Sequence, residues 1–300
     1  MAVSASGLSK SYDEKTDALH ELNLEIPEGG VFGFLGPNGA GKTTTVKLLN
    51  GLLKPTAGKC SVLGIPPYAK PQEVHRVCGV MTDSAKMYGQ MTGMQNLVFF
   101  ARVFGMPEEE CGRRASELLR RLDLWDARDR RLSGYSTGMA QRLSFARALI
   151  GRPKVLFLDE PTSGLDPESV LTVNRMIAEL AGSEGTTVFL CTHQLRYAQD
   201  ICTGYGIINK GRLLACGTLE QLSQEIGVPI RAQIRAGEAD SLEGFEKKED
   251  CWEIPVQREE DMPELIRRVV TEGHDLYEAR LVKPALEEVY FKYIDREASK

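Results

Sequence analysis

The 300-residue sequence lacks any apolar run long enough to cross a bilayer. Its longest apolar runs, 155–158 and 97–101, fall far short of the roughly 20 residues that a spanning helix needs. The first residues, 1–7, also lack the basic start and the apolar stretch of a signal peptide. We therefore expect a cytoplasmic chain that does not cross a membrane by itself.

Disulfide-type cysteine patterns and strong positive charge are missing as well. The seven cysteines are odd in number and include no Cys-x-x-Cys pair, so neither a disulfide framework nor a zinc site is expected. The formal net charge is −5, which argues against a surface that coats nucleic acid or anionic lipid. Any contact with a membrane should therefore run through another protein.

What the sequence does contain is an alternation of short apolar runs with segments of helical period. This pattern is typical of a parallel sheet covered by helices. Leu22, Leu24 and Ile26 alternate as one strand, and 31–35 predicts a second. The segment 41–51 follows as a helix that stops at its last glycine. A glycine-rich loop therefore lies between a strand and a helix.

This loop matches the pattern G-x-x-x-x-G-K-[ST], which marks a phosphate-binding loop (P-loop, or Walker A motif) when a strand and a helix flank it. Its glycines let the backbone fold tightly, so that successive N–H groups point at the β- and γ-phosphates of a nucleotide. The helix that starts there adds about half a positive charge. Lys42 supplies a full charge, and Thr43 supplies a hydroxyl for Mg²⁺. The expected nucleotide-binding residues are Gly36, Pro37, Asn38, Gly39, Ala40, Gly41, Lys42, Thr43 and Thr44.

A second group of residues lies where the apolar run 155–158 ends in Asp159 and Glu160. The run suits a strand buried on both faces, and open α/β sheets bind ligands at the carboxyl ends of such strands. By itself, an Asp-Glu pair after a strand is more often a solvated turn. Beside the lysine loop, it predicts that Asp159 holds the Mg²⁺ shell and that Glu160 orients or deprotonates an attacking water.

Three later motifs follow the lysine loop in order. They are Tyr-Ser-Thr-Gly-Met-Ala-Gln-Arg at 135–142, Ser-Gly-Leu-Asp at 163–166, and the pair Thr192-His193. In order and spacing, the set resembles the nucleotide-binding subunit of an ATP-binding cassette (ABC) transporter, over about residues 3–222. The resemblance implies an α/β fold, in which a P-loop NTPase (RecA-like) core carries an antiparallel β part and a helical subdomain inserted at about 85–152.

The stretch at 135–142 is similar to the signature motif of the family. Ser136 and Gly138 lie at the start of a segment of helical period, which makes a second anion site without a lysine of its own. Standing alone, the segment would be an ordinary capped helix. In the family, these residues of one subunit contact the γ-phosphate held by the lysine loop of the other. The resemblance therefore implies a second ATPase subunit, identical or related, and a dimer that ATP closes and hydrolysis releases.

The resemblance also assigns roles to two isolated residues. It places His193 against the γ-phosphate and the attacking water, and it places the ring of Tyr12 against adenine. A lone histidine is more often structural, but His193 follows the strand that comes after the acidic pair, which favours the functional role. His20, His75 and His274 have no such context.

Two departures from the family pattern indicate one branch of the family. Asp83 stands where the family commonly has the glutamine of its Q-loop, and we expect it in the metal shell, directly or through water. The signature reads Ser-Thr-Gly-Met in place of paired glycines and glutamine. Both features resemble the ATPase subunits that serve separately encoded permeases exporting drugs, antibiotics or lipid-like compounds.

Four of the nine methionines cluster where the helical subdomain begins: Met81, Met87, Met91 and Met94. Flexible, polarisable side chains suit an adaptable docking surface. One hypothesis is that 87–94 lines the groove for a coupling helix of the permease. The alternative is that these residues fill a small helical core.

Beyond the predicted ATPase domain at 1–222, the sequence predicts a small α/β domain at 227–300. Its strands are expected at 230–235, 251–256 and 277–281, and its helices at 262–271 and 286–293. No chemistry is evident in it, and a dimer-contacting or regulatory role is the hypothesis.

The favoured interpretation is the ATPase subunit of an export complex, with ATP and Mg²⁺ as cofactors. Its partners would be a transmembrane permease and a second ATPase subunit, with no nucleic acid. It would lie on the cytoplasmic face of the membrane and touch it only through the permease, which selects the substrate. An alternative is a soluble ABC ATPase acting on a non-membrane partner, although such proteins typically carry two cassettes or a long coiled-coil insertion. A catalytically dead regulatory subunit is disfavoured because Lys42, Asp159, Glu160 and His193 are all present.

Overall fold

The computed structural model describes residues 1–13, 16–82, 87–237, 242–256 and 258–299. It divides the chain into two compact units, Met1–Cys216 and Gly217–Lys300. The sequence prediction ended the first domain at residue 222. The structure ends the first unit at Cys216, because the helix at Leu219–Ile226 packs with a later helix of the second unit.

The first unit contains an alternation of strands and helices. In chain order these are β1 (Val3–Asp13), β2 (Thr16–Ile26), β3 (Val31–Leu35), α1 (Lys42–Leu49), β4 (Ala57–Val62), α2 (Pro71–Val77), β5 (Cys78–Met81), α3 (Gly93–Val103), α4 (Glu108–Arg121), α5 (Thr137–Leu149), β6 (Val155–Asp159), α6 (Pro167–Gly182), β7 (Thr187–Thr192), α7 (Leu195–Ile201), β8 (Gly204–Asn209) and β9 (Arg212–Gly217).

The main sheet of this unit has the strand order β5-β6-β7-β3-β8-β9. The four pairings from β5 to β8 are parallel, and every residue of β3, β6 and β7 is buried. Unbroken apolar runs form these strands because both faces of a parallel sheet are covered. Phe34 and Phe157 pack against Phe189, with ring centroids 5.1 Å and 5.7 Å away. The expected strands at 31–35 and 155–158 are confirmed.

A separate antiparallel sheet has the order β2-β1-β4. Val3 is paired with Ile26 on one side and with Val62 on the other, and all three side chains are buried. The alternation at 22–26 is therefore confirmed as a strand whose apolar face joins the core. This sheet is the antiparallel β part that the fold prediction included.

Helices α3, α4 and α5 form the helical region between β5 and β6. Leu97, Leu118 and Phe145 bring one buried side chain from each helix into a common core. Helix α4 begins with three glutamates in its first turn, where the helix dipole favours negative charge. Met87 and Met94 are half-buried against the same core. The packing of these two methionines agrees with the filler alternative.

The second unit is a small α/β fold with elements α8 (Leu219–Ile226), β10 (Ile230–Ala236), β11 (Glu246–Lys248), β12 (Cys251–Val256), α9 (Met262–Thr271), β13 (Leu276–Val282) and α10 (Leu286–Ala298). Its antiparallel sheet has the order β11-β12-β10-β13. Ile234, Trp252 and Val269 share one buried cluster. The hydroxyl of Tyr293 in α10 donates to the carbonyl of Leu222 in α8 at 3.3 Å. Within the residues that the structure covers, neither unit has a helix with the length and apolar character for crossing a bilayer.

Candidate nucleotide-binding and hydrolysis site

The glycine-rich loop joins the end of β3 to the start of α1. At Gly36, a Cβ atom would come within 2.3 Å of the carbonyl oxygen of Ile208 in the neighbouring strand β8. At Gly39, φ is +81°, a conformation that L side chains rarely adopt. Gly41 is the N-cap of α1 and offers no side-chain hydrogen bond, so the first N–H groups of the helix are not capped by a side chain. Such uncapped N–H groups suit a bound phosphate.

Lys42 folds back over this loop. Its ammonium group donates to the carbonyls of Gly36 at 2.6 Å and of Pro37 at 3.1 Å, and the residue is only 6% exposed. Glu160 Oε1 lies 4.0 Å from the ammonium nitrogen. A buried cation that faces two carbonyls and one distant carboxylate fits a polyanion such as a nucleotide phosphate.

Thr43 and Asp159 bring two oxygen ligands together. The Thr43 hydroxyl donates to Asp159 Oδ2 at 2.6 Å, joining the first turn of α1 to the end of β6. Mg²⁺ prefers oxygen ligands and is usually held by one or two carboxylates together with substrate phosphates. The donor set therefore fits Mg²⁺ bound jointly by the protein and a nucleotide. Asp83, the third expected ligand, lies outside the described residues.

Glu160 lies directly after β6 with a positive φ of +50°. Such a backbone conformation costs about 1–2 kcal/mol for a residue other than glycine. Its N–H donates to the carbonyl of Cys191 at 2.9 Å, which anchors the turn to β7. One carboxylate oxygen, Oε1, is 2.8 Å from His193 Nδ1, and the other, Oε2, accepts from the Thr192 hydroxyl at 3.2 Å. A carboxylate held at both oxygens in this way is available to accept a proton from a nearby water.

Gln141 was missed by the sequence interpretation as a site residue. It lies in the signature stretch on α5, and its amide nitrogen is 3.3 Å from the carbonyl oxygens of both Glu160 and Pro161. It thus bonds to the backbone of the strained turn, whereas Thr192 bonds to the Glu160 side chain. Its position within the 135–142 motif could have marked it as a site residue. The sequence does not show, however, that its amide contacts the turn at Glu160.

Ser136 and Gly138 belong to a second group, at the N-terminus of α5. The Ser136 hydroxyl accepts from the N–H of Met139 at 3.3 Å and caps the helix. A Cβ at Gly138 would lie 3.5 Å from Leu165 Cδ2 and 3.9 Å from Asp166 Oδ2. The signature therefore lies beside the 163–166 motif.

Asp166 caps α6 through two hydrogen bonds from Ser169. Its carboxylate accepts from the Ser169 N–H at 2.9 Å and from the Ser169 hydroxyl at 2.8 Å. These bonds to the ionised form lower the pKa of Asp166. Asp166 is therefore the N-cap of α6.

Tyr12 lies near the loop and is 53% exposed. Its hydroxyl is 3.2 Å from the hydroxyl of Thr44, and Lys10 Nζ lies 5.6 Å from the ring centroid. An exposed aromatic ring beside a phosphate loop is available to stack on a base.

These features define a class of protein. A P-loop stands at the end of one parallel strand, and an Asp-Glu pair and a histidine follow two neighbouring strands at the same edge of the sheet. This is the arrangement of a nucleoside-triphosphate hydrolase of the P-loop class.

Comparison with known proteins narrows the class to a family. A family model described as ABC transporter matches residues 19–163. The daunorubicin resistance ATP-binding protein DrrA2 of Streptomyces coeruleorubidus is 36% identical, over 97% of this chain and 94% of its own length. The bacitracin transport ATP-binding protein BcrA of Bacillus licheniformis is 35% identical, over 71% of this chain and 68% of its own length.

Solved structures agree with this. An ATP-binding subunit of an ABC transporter superposes with a TM-score of 0.71 at 28% identity, covering 76% of this chain and 94% of that one. The dimeric post-hydrolysis state of the ATP-binding cassette MJ0796, bound to ADP and Pi, gives 0.68 at 25% identity, covering 72% and 98%. The chain therefore belongs to the ABC transporter family of ATP-binding proteins, and it is an ATPase.

Proposed function

We propose that the chain is the ATP-hydrolysing subunit of an export complex, in which ATP and Mg²⁺ close it against a second ATPase subunit. The observation that carries the proposal is the single edge of the sheet at which Lys42, the Thr43–Asp159 pair and the Glu160–His193 pair meet. The groups proposed to bind phosphate, to hold a metal and to activate water therefore lie close together.

In this proposal, the loop N–H groups and Lys42 bind the β- and γ-phosphates of ATP. Thr43 and Asp159 would hold Mg²⁺, which would supply positive charge against the phosphates; Asp83 is the further candidate ligand. Glu160 takes a proton from the attacking water, and His193 holds the Oε1 side of that carboxylate and faces the γ-phosphate. Tyr12 stacks on adenine.

The second subunit enters the proposal through Ser136 and Gly138. Their helix N-terminus offers a hydroxyl and backbone N–H groups but has no lysine. A half-site of this kind is completed when a partner brings a lysine loop with ATP bound to it. We propose that two such pairs close the dimer, and that hydrolysis releases it.

The permease is proposed to dock in a cleft of about 710 Å³ in the first unit. The cleft is lined by apolar side chains that are unusually exposed, namely Leu52 at 61%, Val103 at 64% and Phe104 at 41%. Arg76, whose side chain is exposed, also lines it, which favours a partner segment with an acidic residue. Met87 to Met94 are not among the lining residues, so the proposed groove differs from the one that the methionines suggested.

An export role is supported by the relatives, whose names refer to daunorubicin resistance and bacitracin transport. We propose that this chain likewise serves the export of an antibiotic-like compound, from the cytoplasmic face of the membrane and through the permease alone. The second unit is proposed to contact the partner subunit or to regulate the complex.

The experiment is affinity purification of the full chain from detergent-solubilised membranes of its host, followed by mass spectrometry for a multi-span membrane protein. We expect the wild-type chain to elute with that protein in detergent, and Val103→Asp to lose it while keeping ATPase activity. Leu171→Asp is the matched control, because Leu171 is 59% exposed on α6 and does not line the cleft. Loss with both variants, or with neither, contradicts docking in the cleft. A wild-type ATPase that never elutes with a membrane protein contradicts the export role.

A further inference from the structure

The carboxylate of Glu160 is held at both of its oxygens, and the two contacts differ. Oε1 lies 2.8 Å from His193 Nδ1 and 4.0 Å from Lys42 Nζ. Oε2 accepts a hydrogen bond from the Thr192 hydroxyl at 3.2 Å. Oε1 therefore faces the lysine loop, whereas Oε2 faces the last residue of β7.

The direction of the Thr192 hydrogen bond is fixed by its neighbours. The N–H of Gln194 donates to Thr192 Oγ1 at 3.0 Å, so the single proton of the hydroxyl remains for Glu160 Oε2. The Gln194 side chain is held in turn, because its oxygen accepts from the Thr162 hydroxyl at 3.1 Å. Thr192 is only 3% exposed, which limits competition from water.

An anchor at Oε2 matters because the last torsion of a glutamate is soft. This torsion joins an sp³ to an sp² carbon and has a broad distribution, so a glutamate carboxylate rotates easily unless its oxygens are bonded. General-base catalysis depends on placing one oxygen within hydrogen-bond reach of the water. Rotation of the carboxylate would remove Oε1 from that position.

We propose that Thr192 is a positioning residue for hydrolysis, which fixes the plane of the Glu160 carboxylate so that Oε1 is presented to the attacking water. The inference rests on the proposed role of Glu160 as the base. Thr192 contacts neither the nucleotide-binding loop nor its lysine in the hydrogen bonds described, so its effect should fall on turnover and not on nucleotide affinity.

The test uses the full chain with three substitutions. Thr192→Val keeps the shape of the side chain but removes the hydroxyl, and Thr192→Ser keeps the hydroxyl. Thr187→Val is the matched control, because Thr187 is the first residue of the same strand, is also 3% exposed, and accepts the N–H of Gly29 at 2.9 Å. Both valine variants leave one backbone N–H without its acceptor, but Thr192→Val alone also removes a donor to Glu160.

We expect Thr192→Val to lower kcat about tenfold, the value of one hydrogen bond realised at the transition state, with the KM for ATP within about twofold. Thr192→Ser should restore most of kcat, and Thr187→Val should leave it near the wild-type value. Affinity for a fluorescent ATP analogue and the unfolding midpoint should be similar in the two valine variants.

A double variant separates positioning from a general loss of structure. If Thr192 acts through Glu160, adding Thr192→Val to Glu160→Gln should lower the residual turnover by less than about twofold. A second tenfold loss in the double variant overturns the proposal, as does a serine variant as slow as the valine variant. Undiminished turnover of Glu160→Gln alone would instead contradict the role of Glu160 as the base, which is part of the proposed function.

Discussion

Substitution of Gly36 by alanine provides a test of how the phosphate-binding loop is built. The new Cβ would lie 2.3 Å from the carbonyl oxygen of Ile208, whereas real Cβ contacts stay beyond 3.0 Å. The loop and β8 must therefore separate by at least about 0.7 Å, the difference between these two distances. The obstacle is backbone in a parallel sheet, in which Leu35 and Ile207 are paired, so it cannot yield by changing a rotamer.

The magnitude follows from the kind of contact. Overpacking typically costs 1–3 kcal/mol, and an immovable backbone neighbour places Gly36→Ala near the upper value, at about 3 kcal/mol. Gly39→Ala is the matched control within the same loop. It adds the same methyl group at a φ of +81° with no heavy atom within 4 Å. Its free energy of unfolding should therefore fall only by the strain of a left-handed backbone at alanine, about 1–2 kcal/mol.

The assay is denaturant unfolding of the full chain followed by tryptophan fluorescence. The sequence has two tryptophans, Trp125 in the first unit and Trp252 in the second. In a Trp252→Phe background, Trp125 reports on the unit that contains the loop. We expect the Gly36→Ala free energy of unfolding to fall more than that of Gly39→Ala. An equal or larger loss in Gly39→Ala would refute the close-approach explanation.

Three further predictions concern Glu160 as the proposed base, the backbone turn that carries it, and a buried thiol. Glu160→Gln should bind ATP, keep the dimer closed on size-exclusion chromatography, and lower phosphate release by about 10²–10⁴-fold; undiminished release would exclude Glu160 as the base. Gln141→Leu removes the amide that lies 3.3 Å from the carbonyls of Glu160 and Pro161, and it should lower kcat about three- to tenfold with little change in KM; an unchanged kcat in steady-state assays would contradict this. Burial raises the pKa of Cys78 to about 12, so at pH 8 a thiol reagent should label the exposed Cys216 first and Cys78 only on unfolding; equal rates by mass spectrometry would be inconsistent with the burial.

Much of the site follows from the sequence because it is encoded locally. An unbroken apolar run such as 155–158 predicts a buried strand, and whatever follows that strand must lie at the carboxyl edge of the sheet. Asp159 ends such a strand, Glu160 and His193 directly follow one, and Lys42 begins the helix after the loop that follows β3. The structure brings the four residues together. The hydrophobic pattern of the strands and the order of the motifs are therefore sufficient to predict that these four side chains meet.

The sequence alone does not predict why position 36 must be glycine. The sequence explains the glycines of the loop by tight folding and by N–H groups that face phosphate. The structure shows that Gly36 is instead required by the carbonyl of Ile208, which lies far away along the chain. The domain boundary has a similar origin, because the helix after Cys216 is assigned by its packing against α10. Contacts of this kind depend on tertiary neighbours that no local pattern encodes.

Strand register decides which of two chemically identical residues serves the site. Thr187 and Thr192 begin and end β7 and are buried to the same extent, so composition and period do not distinguish them. In the pairing of β6 with β7, Asp159 lies opposite Cys191. The next residues along the chain are Glu160, just after β6, and Thr192, the last residue of β7. A slip of one residue would turn the Thr192 side chain to the other face of the sheet. The packing of Phe157 against Phe189, which resists such a slip, therefore also keeps the Thr192 hydroxyl beside the carboxylate of Glu160.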